Sequence, residues 1–295
     1  MSLLIQSLVN GLNQGAIYAL VALGYTMVYG IIRMINFAHG DFLMVGGYTL
    51  LFTIPVLVNS GMPAWLSVIA AVVACTIVGV LVEIIAYRPV LNAGPMSALI
   101  TALAMSLFLE NLAMVVFGPN PQAVPTVFAI HTLPILGAHL QVKYLLTLGI
   151  GLAIMFGLNL FVKYTRIGKA MRAVPQDKKA STLVGINVGK IITLTFAIGS
   201  GLAGVAALMY CSTYPRVTTD MGMMLGLKAF IAAVIGGIGS LPGAMVGGLL
   251  VGLIEIFVKV YIAPGWYEAI TYGLLIIVLL IKPTGLLGKS QSEKV

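Results

Sequence analysis

The chain has 295 residues, of which 60% are hydrophobic and only 8% charged, with a net charge of +8 and a mean hydropathy of +1.08. A water-soluble domain carries about 25% charged residues to cover its surface, so a soluble fold is excluded. The excess of 16 Lys and Arg over 8 Asp and Glu does not mark a nucleic-acid binder, because the basic residues sit at the ends of apolar segments and form no basic face.

Apolar runs of roughly 18 or more residues with few charges mark membrane-spanning helices. The alternating pattern of an outer-membrane barrel is absent. In chain order the runs are 10–32, 38–58, 64–87, 97–117, 142–162, 191–211, 224–240, 243–262 and 267–281. They predict an all-α polytopic membrane protein of eight or nine transmembrane helices, with a single transmembrane domain over 1–295. The seventh run is short, and Gly239-Ser240-Leu241-Pro242-Gly243 barely separates it from the eighth. That pair reads either as two tilted spans or as a re-entrant turn. No basic n-region or small-residue cleavage site opens the chain, so a removable signal peptide is not expected.

Lys and Arg in short loops are retained on the cytoplasmic side. With nine spans, the cluster Lys163–Lys190 falls on the same side as Arg33, Arg88, Lys282, Lys289 and Lys294, roughly 12 basic residues, while Lys143 and Arg216 are left opposite. This asymmetry predicts the N-terminus outside and the C-terminus inside.

Between the first two runs, Asn36-Phe37-Ala38-His39-Gly40-Asp41-Phe42 places Asn36 as a cap for the second helix and puts His39 and Asp41 near the membrane boundary. Ionisable groups there are costly unless they line water or pair. They read as a polar step on a transport path, or as a polar pin joining two helices at the cytoplasmic end. Glu83 and Arg88, at the inner end of the third span, suit a local network. Glu110 and Asn111 fall deep in the fourth span, where a carboxylate should face a cavity or a partner. The connection 118–141 carries four prolines and exceeds a simple turn, so it is a docking or lid loop, or else a passive ordered one.

The segment 164–190 is the most informative. Thr165 can cap a short helix ended by Pro175. A second helix can run from about Gln176 to Val184, with Asp177 in its first turn, Ala180, Leu183 and Val184 on one face, and Gly185-Ile186 as a left-handed stop. Such a pair lies on the inner face of the membrane, where its Lys and Arg could also anchor it to anionic lipid. In the last third, Gly239, Gly243, Gly247, Gly248 and Gly252 have the spacing that lets helices approach closely, within the chain or against a second subunit. Glu255 and Lys259 stand at i and i+4 and can pair. The tail Gly285-Leu286-Leu287-Gly288-Lys289-Ser290 has Pro at 283 where a phosphate-binding loop needs Gly, so it is no nucleotide site. Cys75 and Cys211 lie in apolar stretches, and His39, His131 and His139 have neither metal-ligand nor triad spacing, so no metal and no catalytic residue is expected.

Three motifs in order resemble the permeases of branched-chain amino-acid ABC importers, the LivH type. The first is Asn36–Phe42 followed by Gly46-Gly47-Tyr48. The second is Arg172-Ala173-x-x-Gln176-Asp177-x-x-Ala180-x-x-x-x-Gly185-Ile186. The third is Lys228-Ala229-Phe230 with Gly236-Gly237-x-Gly239-Ser240-x-Pro242-Gly243-Ala244-Met245-x-Gly247-Gly248, closed by Lys282-Pro283-x-Gly285-Leu286. The resemblance covers nearly the whole chain. It implies the ABC importer permease fold and half of a translocation path in the bacterial or archaeal inner membrane. It also implies a second homologous permease subunit, two ATP-binding cassette subunits that bind ATP and Mg, and an extracytoplasmic substrate-binding protein. The segment containing Lys169, Arg172, Ala173, Gln176, Asp177, Ala180 and Gly185 would then couple to the ATPases. Asn36, His39, Asp41, Glu110 and Asn111 would be the candidate path residues. A passive channel for small neutral solutes such as urea or amides, an ion-coupled secondary transporter and a membrane enzyme are the competing readings.

Overall fold

The computed structural model describes residues 2–91, 93–128, 131–135 and 138–288. Lys289, Ser290 and Lys294 of the tail, and the side chain of His139, lie outside the described residues. Among the described residues, eight helices are long and apolar enough to cross a membrane, and a ninth apolar helix is shorter.

The centre is α1 (Ser2–Ile32), 31 residues long and apolar all round, as a helix buried on every side must be. The share of its apolar window that is buried is 89%, against 6% for the last span, so α1 is the core and the last helix lies at the rim. Around α1 stand α2 (His39–Asn59), α6 (Val142–Tyr164), α9 (Val188–Thr213), α10 (Met221–Gly236) and α11 (Leu241–Tyr261). Helix α3 (Ser67–Val82) packs on α2 and α9 and runs through a π-helical turn, Glu83–Tyr87, into the short α4 (Arg88–Val90). Mostly exposed are α5 (Pro95–Phe117) and α12 (Tyr267–Ile281). Two short helices, α7 (Arg166–Ala173) and α8 (Lys178–Leu183), join α6 to α9.

The basic connections meet at one end of the bundle. There an Arg33 guanidinium nitrogen lies 3.4 Å from the Pro175 carbonyl oxygen, and Arg88 donates to the Thr193 hydroxyl at 3.0 Å. The opposite end carries two small antiparallel pairs. Strand β1 (Gln122–Ala123) pairs with β4 (Arg216–Val217), and β2 (Thr132–Ile135) pairs with β3 (Ala138–Gln141). The 118–141 connection is therefore fastened to the α9–α10 link.

Two helix starts lie inside the bundle. Arg33, with φ of 58°, ends α1 in the left-handed conformation, and the chain turns back inward. The His39 ring then abuts Gly24 of α1 and Gly199 of α9. Gly24 is eight residues before Ile32 and Gly199 eleven after Val188, so His39 sits about 12–16 Å from the basic end. This corrects the boundary placement expected from loop charges: the motif is near mid-depth. It also corrects the cap. Ala38 occupies the N-cap position of α2 with no side-chain bond, because the Asn36 Oδ1 accepts from the Tyr87 hydroxyl at 2.8 Å. Helix α10 begins beside the first turns of α2, where a Cβ on Gly40 would collide with the Gly222 carbonyl. At 16 residues α10 is only about 24 Å long, short of the roughly 30 Å hydrocarbon core.

The far end of α10 is closed by the chain's tail. The Leu286 and Leu287 amides donate to the carbonyls of Ile235 and Gly236 at 2.8 and 2.9 Å. Gly285 (φ 77°) and Gly237 (φ 109°) make the approach possible, and a Cβ on Gly285 would lie 2.5 Å from Gly237 Cα.

The glycine series divides between two partners. Gly243 and Gly247 of α11 meet Gly236 and Ala232 of α10, while Gly248 and Gly252 meet Ala19 and Gly15 of α1. These four are engaged within the chain and are not a seam for a second subunit. Gly239 differs from the packing role expected of it: its nearest neighbour would be Tyr29 at 4.0 Å, and its φ of 90° serves the turn into α11.

Two stability predictions follow. Gly248→Val forces a branched side chain against Ala19 backbone atoms that cannot move aside, and costs more than the usual 1–3 kcal/mol of overpacking. Its melting temperature in detergent should fall by many degrees, whereas Gly149→Ala, with open space around it, should leave it unchanged. Gly285→Ala, strained by its positive φ and by Gly237, should likewise lower the melting temperature, and hydrogen exchange should report a frayed C-terminal end of α10.

Candidate functional site

The first candidate is the crossing of the two interior helix starts. The His39 ring packs tilted against Tyr25, with centroids 4.9 Å apart, and edge-to-face against Phe42 at 5.4 Å, and neither ring nitrogen has a hydrogen-bond partner. Asp41 is 0% exposed, and neither of its oxygens meets hydrogen-bond geometry. Its carboxylate lies against Gly222, in the first turn of α10, so the open amide ends of α2 and α10 both favour negative charge there. Helix starts buried at mid-depth are the arrangement by which transporters present polar groups to a passing solute.

Ser106 and Glu110 of α5 face Asp41, and Glu110 is in turn within electrostatic reach of Asp220. One Glu110 oxygen is buried and unpartnered. Asn111 departs from the expected path. It sits on the exposed face of α5, and its amide donates back to the Leu107 carbonyl at 2.7 Å. The structure therefore gathers His39, Asp41 and Glu110, holds Asn36 beside them through Tyr87, and turns Asn111 outward.

The second is a charged cluster towards the opposite end, of which the Glu255–Lys259 spacing reveals only part. Glu255 of α11 is buried and accepts from Lys259, from Lys228 of α10 at 3.2 Å and from the Tyr18 hydroxyl of α1 at 2.6 Å. Both ammonium groups also lie over the Tyr267 ring, at 4.4 Å for Lys228 and 4.1 Å for Lys259. The missed signal is Lys228 itself, a lone charge within an apolar helix, which requires an anionic partner on a neighbour. A cavity of about 370 Å³ opens beside this cluster.

At the basic end, Glu83 and Arg88 form a two-pronged ion pair at 3.1 and 3.0 Å, and Thr193 joins both. Positions i and i+5 do not share a face of an α-helix. The π-helical turn between them supplies the wider register that lets these two meet.

The third candidate is the α6–α9 connection. Thr165 caps α7, accepting from the Gly168 amide at 3.0 Å. Asp177 is the N-cap of α8 and not part of its first turn, accepting from the Ala180 amide at 2.9 Å. Gly185, with φ of 85°, ends α8: its amide donates to the Thr182 carbonyl and the Ile186 amide to the Ser181 carbonyl, the paired bonds of a Schellman stop. Asn187 then caps α9. Arg172 turns back to the Lys163 carbonyl at 3.0 Å. Arg172, Asp177 and Gly185 thus hold the segment in shape, while Ala173 is half-buried and Lys169, Gln176 and Ala180 are exposed. Beyond them Leu183 and Val184, 88% and 77% exposed, form an apolar knob directed away from the bundle.

Comparison with known proteins agrees along nearly the full length. The family described as "Branched-chain amino acid transport system / permease component" matches residues 7–280. The chain is 43% identical to the high-affinity branched-chain amino acid transport system permease protein BraD of Pseudomonas aeruginosa, covering 99% of this chain and 98% of that one. It is 40% identical to the permease protein LivH of Escherichia coli K12, covering 99% and 97%. A more distant similarity, 25% over 94% of this chain, reaches the ribose import permease protein RbsC of Haemophilus influenzae. No solved structure matches. With the family match over 7–280 and identities of 40–43% across nearly the full length of both chains, the chain belongs to the branched-chain amino acid transport system permease family.

Proposed function

We propose that this chain is the transmembrane permease subunit of an ATP-driven ABC importer for branched-chain or related amino acids and forms half of its translocation path. The observation that carries the reading is the match over 7–280, with 43% identity to a branched-chain amino acid permease at nearly full coverage of both chains. In this reading it works with a second homologous permease subunit, two ATP-binding cassette subunits that hold ATP and Mg, and an extracytoplasmic substrate-binding protein. It lies in the bacterial or archaeal inner membrane with its N-terminus out and its C-terminus in. The gathering of the basic connections at one end supports that orientation.

Residues 165–187 are suited to receive motion from the ATPases. The segment is fastened at each turn by Thr165, Asp177, Gly185 and Asn187, so it moves as a unit, and it is tied to α1 through Arg33 and Pro175. An apolar knob of Leu183 and Val184 on such a base fits a protein groove. Lys169, Gln176 and Ala180 flank it on the exposed side. Motion passed to α9 arrives at Gly199, against which His39 rests. His39, Asp41 and Glu110 then form the mid-depth step of the path, where the substrate ammonium group meets carboxylates. Alternating access follows from rocking of helix groups about their small-residue contacts.

Two experiments test this. Pull-down of the tagged chain in mild detergent should recover two ATPases and a second permease, and the paired substitution Leu183→Asp/Val184→Asp should abolish ATPase recovery and uptake while membrane insertion persists. A chain that purifies alone and passes solute into ATP-free liposomes would instead make it a channel. Asp41→Asn should lower ATP-driven amino-acid uptake at least tenfold in an assembled importer of unchanged melting temperature, and unchanged uptake would remove Asp41 from the path.

A further inference from the structure

We propose that the 370 Å³ cavity among α1, α9, α10, α11 and α12 is a binding site for an α-amino acid in its zwitterionic form, built within this single subunit. The inference rests on the importer reading and adds a site to it. The cavity is lined by three cations, Arg216, Lys228 and Lys259, and three carboxylates, Asp220, Glu255 and Glu268. The lining is neutral overall and carries charges of both signs, which favours a ligand carrying one charge of each sign over an anion or a cation alone. Its volume falls within the roughly 300–1,000 Å³ of small-molecule sites.

At the floor Glu255 is shared by Lys228 and Lys259, and Glu268 also lies within electrostatic reach of Lys228. Each ammonium has three donors, and Glu255 takes one from each. The floor therefore offers a ligand carboxylate the remaining N–H groups of two ammonium ions. At the mouth, Arg216 on β4 and Asp220 before α10 are exposed and enter no ion pair among the described residues. Asp220 makes no capping bond either, so its carboxylate is open to an ammonium group. Beside these charged groups, Met221, Met224 and Leu225 of α10 line the cavity and can take the aliphatic side chain that branches from the ligand's Cα. Unbranched thioether side chains adapt to aliphatic groups of different branching, as leucine, isoleucine and valine require.

The test uses the full chain in nanodiscs of phosphatidylglycerol, whose headgroups carry no ammonium to compete, with radiolabelled leucine as the probe. The expected result is saturable binding displaced by isoleucine and valine, but not by 4-methylpentanoate or isopentylamine, which carry one of the two charges each. Asp220→Asn and Arg216→Gln, both on exposed positions that leave the fold intact by size exclusion and melting, should weaken binding at least tenfold, and Lys143→Gln should not change it. No saturable binding, displacement by either singly charged analogue, or unchanged binding in Asp220→Asn would overturn the proposal. The importer reading is judged separately, by ATP-driven leucine uptake of the complete complex in liposomes. Uptake without binding in the chain overturns the cavity site alone, and binding without uptake leaves the site standing and overturns the importer.

Discussion

Inside a bilayer no water is available to backbone amides and carbonyls, so every such group must find a partner within the protein. Most of this chain meets that demand with uninterrupted helices. The exceptions shape the rest of the molecule, because α2 and α10 both start in the interior and α10 is too short to cross alone. Their open amide ends face one another around Gly40 and Gly222, with the Asp41 carboxylate between them. The other end of α10 is answered by the tail, whose Leu286 and Leu287 amides take the last carbonyls. The closing Lys282-Pro283-x-Gly285-Leu286 motif thereby has a structural reason. The last carbonyls of a helix have no partner within it, and glycine at 285 lets the tail's backbone come close enough to supply one.

Close approach is the second theme. Without a hydrophobic driving force between helices in lipid, association depends on packing, and small residues permit backbones to touch. Gly15, Ala19, Gly248 and Gly252 join α1 to α11, and Ala232, Gly236, Gly243 and Gly247 join α10 to α11. These three helices form a tight unit, further bound by Glu255 with Lys228 and Tyr18. Helices α5 and α12 carry little of this packing and expose apolar faces to lipid or to other subunits. The interior polar groups lie where the tight unit meets the looser helices, with Asp41 on α2 looking towards Glu110 on α5. A transporter that rocks helix groups against each other would change its polar surface at such a boundary.

Much of the local structure is written in short-range chemistry. Thr165, Asp177, Gly185 and Asn187 act through bonds within four or five residues of themselves, and the helix pair between α6 and α9 emerges close to its expected form. Only the role of Asp177 moves, from first-turn charge to cap. The candidate path residues were less legible. Loop charge places a connection on a side of the membrane, yet it carries no information on how far the next helix start retreats inward. His39 therefore lies about 12–16 Å deeper than its position in a short basic loop suggests. Asn111 follows Glu110 in the chain, but a step of one residue on a helix turns the side chain about 100°, enough to place it on the outer face.

By itself, the sequence determined the class of the molecule, the helices, the side on which the basic loops gather and the caps of the surface segment. Those properties depend on composition and on neighbours a few residues apart. The tertiary structure alone decided the depth of the two interior helix starts, the tail's closure of α10, the division of the glycines between α1 and α10, and the cluster of Tyr18, Lys228, Glu255, Lys259 and Tyr267. Each of these joins residues far apart in the chain. In a membrane helix that is apolar on every side, no hydrophobic stripe marks which face meets which neighbour, so these contacts leave no periodic signal to read.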